Sequence, residues 1–245
     1  YKSLEWEMPL FVHLPMILAK DKTKLSKRHG ATSVQEFVNE GYIKPAMFNF
    51  LVLLGWAFDD KTEQFSIDEL VQKFDINKIS KSPAIFNKDK LDWFNGKYIR
   101  EINNNDLSEE LKLFFKNSLD ENNYQKVSKF NFEDIANMVK ERSKTLQDSL
   151  IMSEFLYNTP SFLSTNEITA MCEDENQCKL ILEKSLELLV ETNDFSINNL
   201  QKELKKLMEQ LNLKPKQVLG TLRIVITNQK ISPPIFDCLY ILEKE

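Results

Sequence analysis

At 245 residues the chain has room for one large domain or two to three small ones. With 42% hydrophobic and 28% charged residues it reads as globular rather than disordered, and only five glycines argue against a glycine-rich nucleotide fold or a turn-dense β-sandwich. The net charge of −5 opposes RNA binding unless cations are gathered locally, because phosphate contacts need them. No apolar run approaches the roughly 18 residues that span a bilayer, and no signal-peptide pattern opens the chain, so a soluble, cytoplasmic protein without a membrane partner is expected. Cys172, Cys178 and Cys238 match neither a zinc spacing nor a redox pair, which predicts separate structural thiols in a reducing compartment and no protein-held metal.

Taken in order, residues 1–30 carry six basic side chains against three acidic ones. Five of the basic residues fall between Lys20 and Gly30, a stretch with no apolar period. A short basic loop closed by Gly30, where positive φ has no steric cost, fits this pattern. Lys24 and Lys27 could then converge on one polyphosphate, a task that suits a compact charge on a flexible stem. Read blandly, the same cluster is a solvated surface turn.

Ser33-Val34-Gln35-Glu36 has the form of a capping box and predicts a short helix that ends near Gly41. Pro45 suits the first turn of a second helix, whose Met47, Phe48, Phe50, Leu51, Leu53 and Leu54 predict burial nearly all round. Ser66-Ile67-Asp68-Glu69 repeats the capping box and predicts a third helix running to Phe74. Asn87–Ile102 reads as a fourth, with Trp93 and Tyr98 expected in the core because aromatics at helical spacing are usually buried.

Asn103-Asn104-Asn105-Asp106 is a polar break. Beyond it, periodic stretches predict helices over Leu107–Leu119, Phe132–Leu156, Gln177–Glu191, Ile197–Leu211, Pro215–Thr227 and Pro234–Glu245. Between Ile197 and Lys230, seven basic residues stand against two acidic ones, which locally reverses the overall charge. The expected fold is mainly α, divided as 1–104, 105–180 and 181–245.

Lys24-Leu25-Ser26-Lys27-Arg28 resembles the mobile lysine loop of class I aminoacyl-tRNA synthetases in its glutamyl form. The likeness extends from Phe11–Leu18, similar to the strand entering that loop, through Gly41-Tyr42-Ile43, Asn49-Phe50-Leu51 and Leu54-Gly55-Trp56. It continues into Lys90-Leu91-Asp92-Trp93-Phe94-Asn95 and Tyr98-Ile99-Arg100. Leu222-Arg223-Ile224-Val225-Ile226-Thr227 with Ser232-Pro233-Pro234-Ile235 resembles the closing segment of glutamyl-tRNA synthetases. It departs at Gly220-Thr221 and at Asn228, which replaces a glycine but tolerates positive φ.

The resemblance implies that Lys24, Leu25, Ser26, Lys27 and Arg28 close over ATP, with Lys27 steadying charge as pyrophosphate leaves and Lys24 assisting. A fixed cation aimed at developing charge is commonly the largest catalytic contribution. It implies ATP and magnesium in the whole enzyme, glutamate and its tRNA as partners, and a monomer. It also implies stem-contact helices, in which Lys90, Lys97 and Arg100 could meet phosphate, followed by an all-helical anticodon-binding cage in two subdomains. The related glutaminyl enzymes carry a β-barrel there instead. Arg223, Ser232, Pro233 and Ile235 are the implied anticodon contacts. Arg142, in Glu141–Leu146, which resembles a helix segment lining the cage, is implied to be a further anticodon contact that reads the third base. The family's other signature, His-Ile-Gly-His, is absent and the chain opens on Tyr1, so the C-terminal part of a longer enzyme is expected. A helical scaffold that docks proteins and binds no RNA is the alternative.

Overall fold

The computed structural model describes residues 1–26, 28, 30, 33–158, 168–229 and 232–242. It divides into two compact units, Tyr1–Tyr98 and Ile99–Glu245. Among the described residues its regular elements are helices and one two-stranded parallel sheet, in which β1 (Ile17–Leu18) pairs with β2 (Ala84–Ile85).

In the first unit, α1 (Val34–Asn39) opens on the expected capping box: Ser33 Oγ accepts from the Glu36 N–H, and the Glu36 carboxylate accepts from the Ser33 N–H. Gly41, at φ 84°, ends that segment in a conformation that strains other residues. α2 (Lys44–Leu53) carries Pro45 in its first turn, and α3 (Ile67–Lys73) starts on the second capping box. α4 (Lys88–Glu101) follows.

The core gathers Phe37, Tyr42, Met47, Phe50, Phe86, Leu91 and Phe94, and a second cluster holds Trp56, Phe65 and Leu70. Two fully buried asparagines tie these pieces together. Asn95 Oδ1 accepts from the Ile43 N–H (2.9 Å), which fixes the entry to α2. Asn49 donates to the Glu63 carbonyl (2.8 Å) and accepts from the Phe65 N–H (2.9 Å). These bonds stand in for those that the buried amides lose to water.

Two expectations change in this unit. α2 is buried on one side only, and its Phe48 and Leu51 are exposed. Trp93, expected in the core, is 52% exposed, with Lys97 Nζ lying 5.6 Å from its ring centroid. Phe94 and Leu91 supply the buried face of α4, and Trp93 falls on the opposite one. Tyr98 is half-buried and donates to the Phe65 carbonyl (2.7 Å).

In the second unit Asn103, part of the expected polar break, is the N-cap of α5 (Asn104–Ser118). α6 (Glu121–Val127) was not legible as a helix, because its face offers little apolar area. The expected stretch 132–156 is two helices, α7 (Phe132–Val139) and α8 (Leu146–Met152). Residues 141–145, expected on a helix, form the turn between them, since Thr145 and Asp148 make a third capping box that starts α8. α5 packs against α7 and α8 through Leu107, Leu111 and Phe115.

α9 (Glu175–Glu191), α10 (Ile197–Leu211), α11 (Pro215–Thr227) and α12 (Ile235–Leu242) complete the unit. α12 packs on α10, α11 and α7, and α9 on α10 and α11. Cys172 and Cys178, expected as separate thiols, are joined by a disulfide with Cα atoms 5.8 Å apart. The turn ahead of α9 folds back onto its first turn, which the spacing alone does not reveal. Cys238 is free and buried.

Candidate nucleic-acid interface

The lysine loop begins as a tight reversal on the end of β1. Leu18 and Lys24 form an antiparallel bridge, Ala19 N–H donates to the Thr23 carbonyl (2.8 Å), and Lys22 takes a left-handed φ of 64°. Asp21 Oδ1 secures the turn by accepting from the Thr23 N–H (2.9 Å) and hydroxyl (2.7 Å). Leu25 is half-buried against the Phe37–Phe86 core, so it anchors the loop while Lys24 and Arg28 stay exposed. Ser26 is half-buried, Gly30 has the expected positive φ of 100°, and Lys27 lies outside the described residues.

Beside the loop is a cleft of about 390 Å³ lined by Lys20, Asp21, Leu25, Phe37, Phe86 and Lys88. Lys20 pairs with Asp89 at its rim (2.5 Å). Lys88 bonds to Glu40 and to the Tyr42 hydroxyl, both at 2.7 Å, and Tyr42 donates to Asp92. Partial burial opposes the Lys88 charge, but these two partners hold its pKa above the usual lysine value. Burial, then the Asp92 carboxylate, pushes the Tyr42 phenol well up. Lys88 therefore stays a cation and Tyr42 stays neutral at any physiological pH.

The second group of residues lies in the other unit, where three segments distant in sequence converge. Arg142, in the α7–α8 turn, donates through Nη1 to the Ser232 carbonyl. Arg223 stands on α11, which ends at Asn228 with φ 52°, the positive value expected where a glycine was replaced. Ser232 and Pro233 form the turn into α12, which Ile235 opens.

The burial of these residues is uneven. Arg142 is exposed and Arg223 half-buried, whereas Ser232, Pro233 and Ile235 are buried. The Ser232 hydroxyl donates to the Pro233 carbonyl (2.9 Å), and so is not presented to a ligand in this arrangement. Arg223 Nε is buried without a hydrogen-bond partner.

Two residues outside the expected set complete the group. Burial pushes the Cys238 thiol up to about 12, Asp237 adds to the rise, and Arg223 and Arg142 oppose it. Burial also raises the Asp237 carboxyl, with Arg142 pulling the other way. Asp237 was visible in sequence only as an acidic residue in a helix's first turn. The arrangement offers two guanidiniums, of which Arg142 is braced by the Ser232 carbonyl. Guanidinium planes can stack on a splayed base or fork onto its edge.

Two family models match consecutive stretches of the chain. The catalytic domain of class I tRNA synthetases (E and Q) matches residues 1–93, and the anticodon binding domain matches residues 106–245, more than half of the chain. The chain belongs to the glutamyl-tRNA synthetase family. A glutamate–tRNA ligase of Dehalococcoides mccartyi is 37% identical over 250 residues, covering 100% of this chain and 51% of the relative. One from Borrelia recurrentis is 36% identical over 247 residues, covering 100% and 48%.

Among solved structures, a glutamate tRNA ligase from Elizabethkingia meningosepticum, in complex with its amino acid, superposes with a TM-score of 0.77 at 25% identity. That match covers 99% of this chain and 50% of the other. A glutamate-tRNA synthetase from Elizabethkingia anophelis gives 0.70 at 24% identity, again over 99% and 50%, which supports the fold. The chain thus spans about half the length of the glutamate–tRNA ligases it matches. Among the described residues no helix is long and apolar enough to cross a membrane. No group of three or more His, Cys, Asp or Glu side chains among them could hold a metal ion.

Proposed function

We propose that this chain is the C-terminal, tRNA-binding part of a cytoplasmic glutamate–tRNA ligase, which activates glutamate with ATP and magnesium and transfers it to the glutamate tRNA. The observation that carries the reading is the order of the two matches, with the catalytic family at 1–93 and the anticodon-binding family at 106–245. In this reading residues 1–104 are the end of the catalytic region with its stem-contact helices, and 105–180 and 181–245 are the two subdomains of the anticodon cage.

Lys27, assisted by Lys24, steadies the departing pyrophosphate, and Leu25, Ser26 and Arg28 complete the ATP loop. Arg223, Arg142 and the turn of Ser232, Pro233 and Ile235, whose Ser232 carbonyl holds Arg142, form the anticodon-contact surface. The enzyme acts as a monomer. Further support comes from the first residues. Trp6, Leu10, Phe11 and Leu14 are exposed at 64%, 82%, 64% and 71%, an apolar surface that suits a neighbouring part of a longer enzyme.

Binding of glutamate tRNA to the 245-residue chain, measured across a salt series, tests the reading. A measurable affinity that falls steeply with salt is expected, as phosphate contacts require. No binding even at low salt, in a folded protein, would instead favour the helical protein-docking scaffold.

A further inference from the structure

We propose that Cys172 and Cys178 form a reversible thiol–disulfide latch which, when closed, seats the turn ahead of α9 on α11. The two Cα atoms are 5.8 Å apart, within the range that a disulfide spans without backbone movement. Cys172 is half-buried and reachable by a small oxidant, whereas Cys178 is buried in the first turns of α9.

The turn bears on α11 at two contacts, and the first turn of α9 adds a third. Gln217 Nε2 donates to Gln177 Oε1 (3.0 Å), and Cys172 Sγ lies 3.3 Å from Thr221 Oγ1. Met171 fills the space over Gly220, where an added Cβ would meet its sulfur at 3.1 Å. Gln177 also accepts from the Glu173 N–H (2.9 Å), so the cross-linked turn and the α11 contact share one side chain. Arg223 follows Gly220 by three residues and so lies on nearly the same side of α11. Fixing the turn therefore restrains the helix that presents this guanidinium.

The chemistry closes with a small-molecule disulfide such as oxidised glutathione as oxidant. The Cys172 thiolate attacks it, forming a mixed disulfide and releasing one glutathione thiol. The Cys178 thiolate then attacks the Cys172 sulfur and expels the second. Two protons and two electrons leave the protein, and the oxidant's S–S bond becomes two thiols. A dithiol reductant reverses both steps.

The test is amide hydrogen exchange on the whole chain, after oxidised glutathione and after a dithiol reductant, with peptide mass mapping of both samples. The oxidised sample should yield a 172–178 cross-linked peptide, two hydrogens lighter than its reduced form. Exchange in 168–178 and 215–227 should speed up on reduction, by about fivefold or more. In Cys172→Ser, which removes only the accessible thiol, exchange should not respond to redox state. A wild type that forms only glutathione adducts, exchange in 215–227 that ignores the cross-link, or a Cys172→Ser variant that still responds would each overturn the latch. These readouts hold whether or not Arg223 meets RNA.

Discussion

The guanidinium of Arg142 donates to the backbone carbonyl of Ser232, joining two turns 90 residues apart in sequence. Each turn stands at the end of a helix. A planar fork suits such a carbonyl better than a lysine's point charge does. Arg142→Ala and Arg142→Lys should both lower the stability of the second unit by about 1 kcal/mol, the usual scale for a partly exposed hydrogen bond. Urea unfolding followed by circular dichroism would measure this. An unchanged midpoint in both variants would mean that Arg142 is no brace.

Asp237 sets a pH dependence whose sign can be worked out. Burial raises its carboxyl above the ordinary value of 3.8, although Arg142 opposes the rise. The folded state therefore binds more protons than the unfolded one between that value and the raised one. Stability from this group is present below the ordinary value and is lost as pH rises through the folded one. Asp237→Asn should flatten that part of the stability profile. A slope unchanged by the substitution would assign the effect to another carboxylate.

Asn49 is the polar hinge of the first unit, bonded at once to Glu63 and Phe65. Asn49→Leu keeps the branched skeleton but leaves the buried Phe65 N–H and the Glu63 carbonyl without partners. A loss of about 2–3 kcal/mol is expected for such orphaned groups. Thermal unfolding would register it, and a neutral outcome would mean that water replaces both bonds.

Much of this fold was legible because its punctuation is local. Ser33, Ser66 and Pro45 mark helix starts that depend on a few neighbouring atoms, and Asn228 takes the positive φ its residue type allows. What failed depended on distant partners. Periodicity gave Trp93 an apolar role but could not say which face of α4 the rest of the unit covers. The break at 141–145 hid because Thr145 and Asp148 spell a capping box with Asp rather than Glu. The burial of Ser232 and Ile235 is likewise set by α12 packing on α7 and α10, contacts no local pattern encodes.

In the full-length enzyme, Lys27→Ala should reduce glutamate activation far more than tRNA affinity. A cation that acts on developing charge contributes in the transition state and little to binding. Glutamate-dependent pyrophosphate exchange, run beside tRNA binding, separates the two. The 245-residue chain alone should stay at background in the same exchange, because the nucleotide and glutamate pockets are proposed to lie outside it. Equal losses in both assays for Lys27→Ala would make the loop an RNA contact.

The most direct test concerns Arg223. The affinities of the wild-type chain and Arg223→Ala for glutamate tRNA and for anticodon variants should be measured at two salt concentrations. If the guanidinium meets a base, the substitution costs about 1–3 kcal/mol on the native anticodon and progressively less once that base is changed. A phosphate contact alone would instead give a uniform loss and a salt slope shallower by about one. We predict the first pattern. Unchanged discrimination among anticodons, in a variant that remains folded, would contradict it and remove Arg223 from the site.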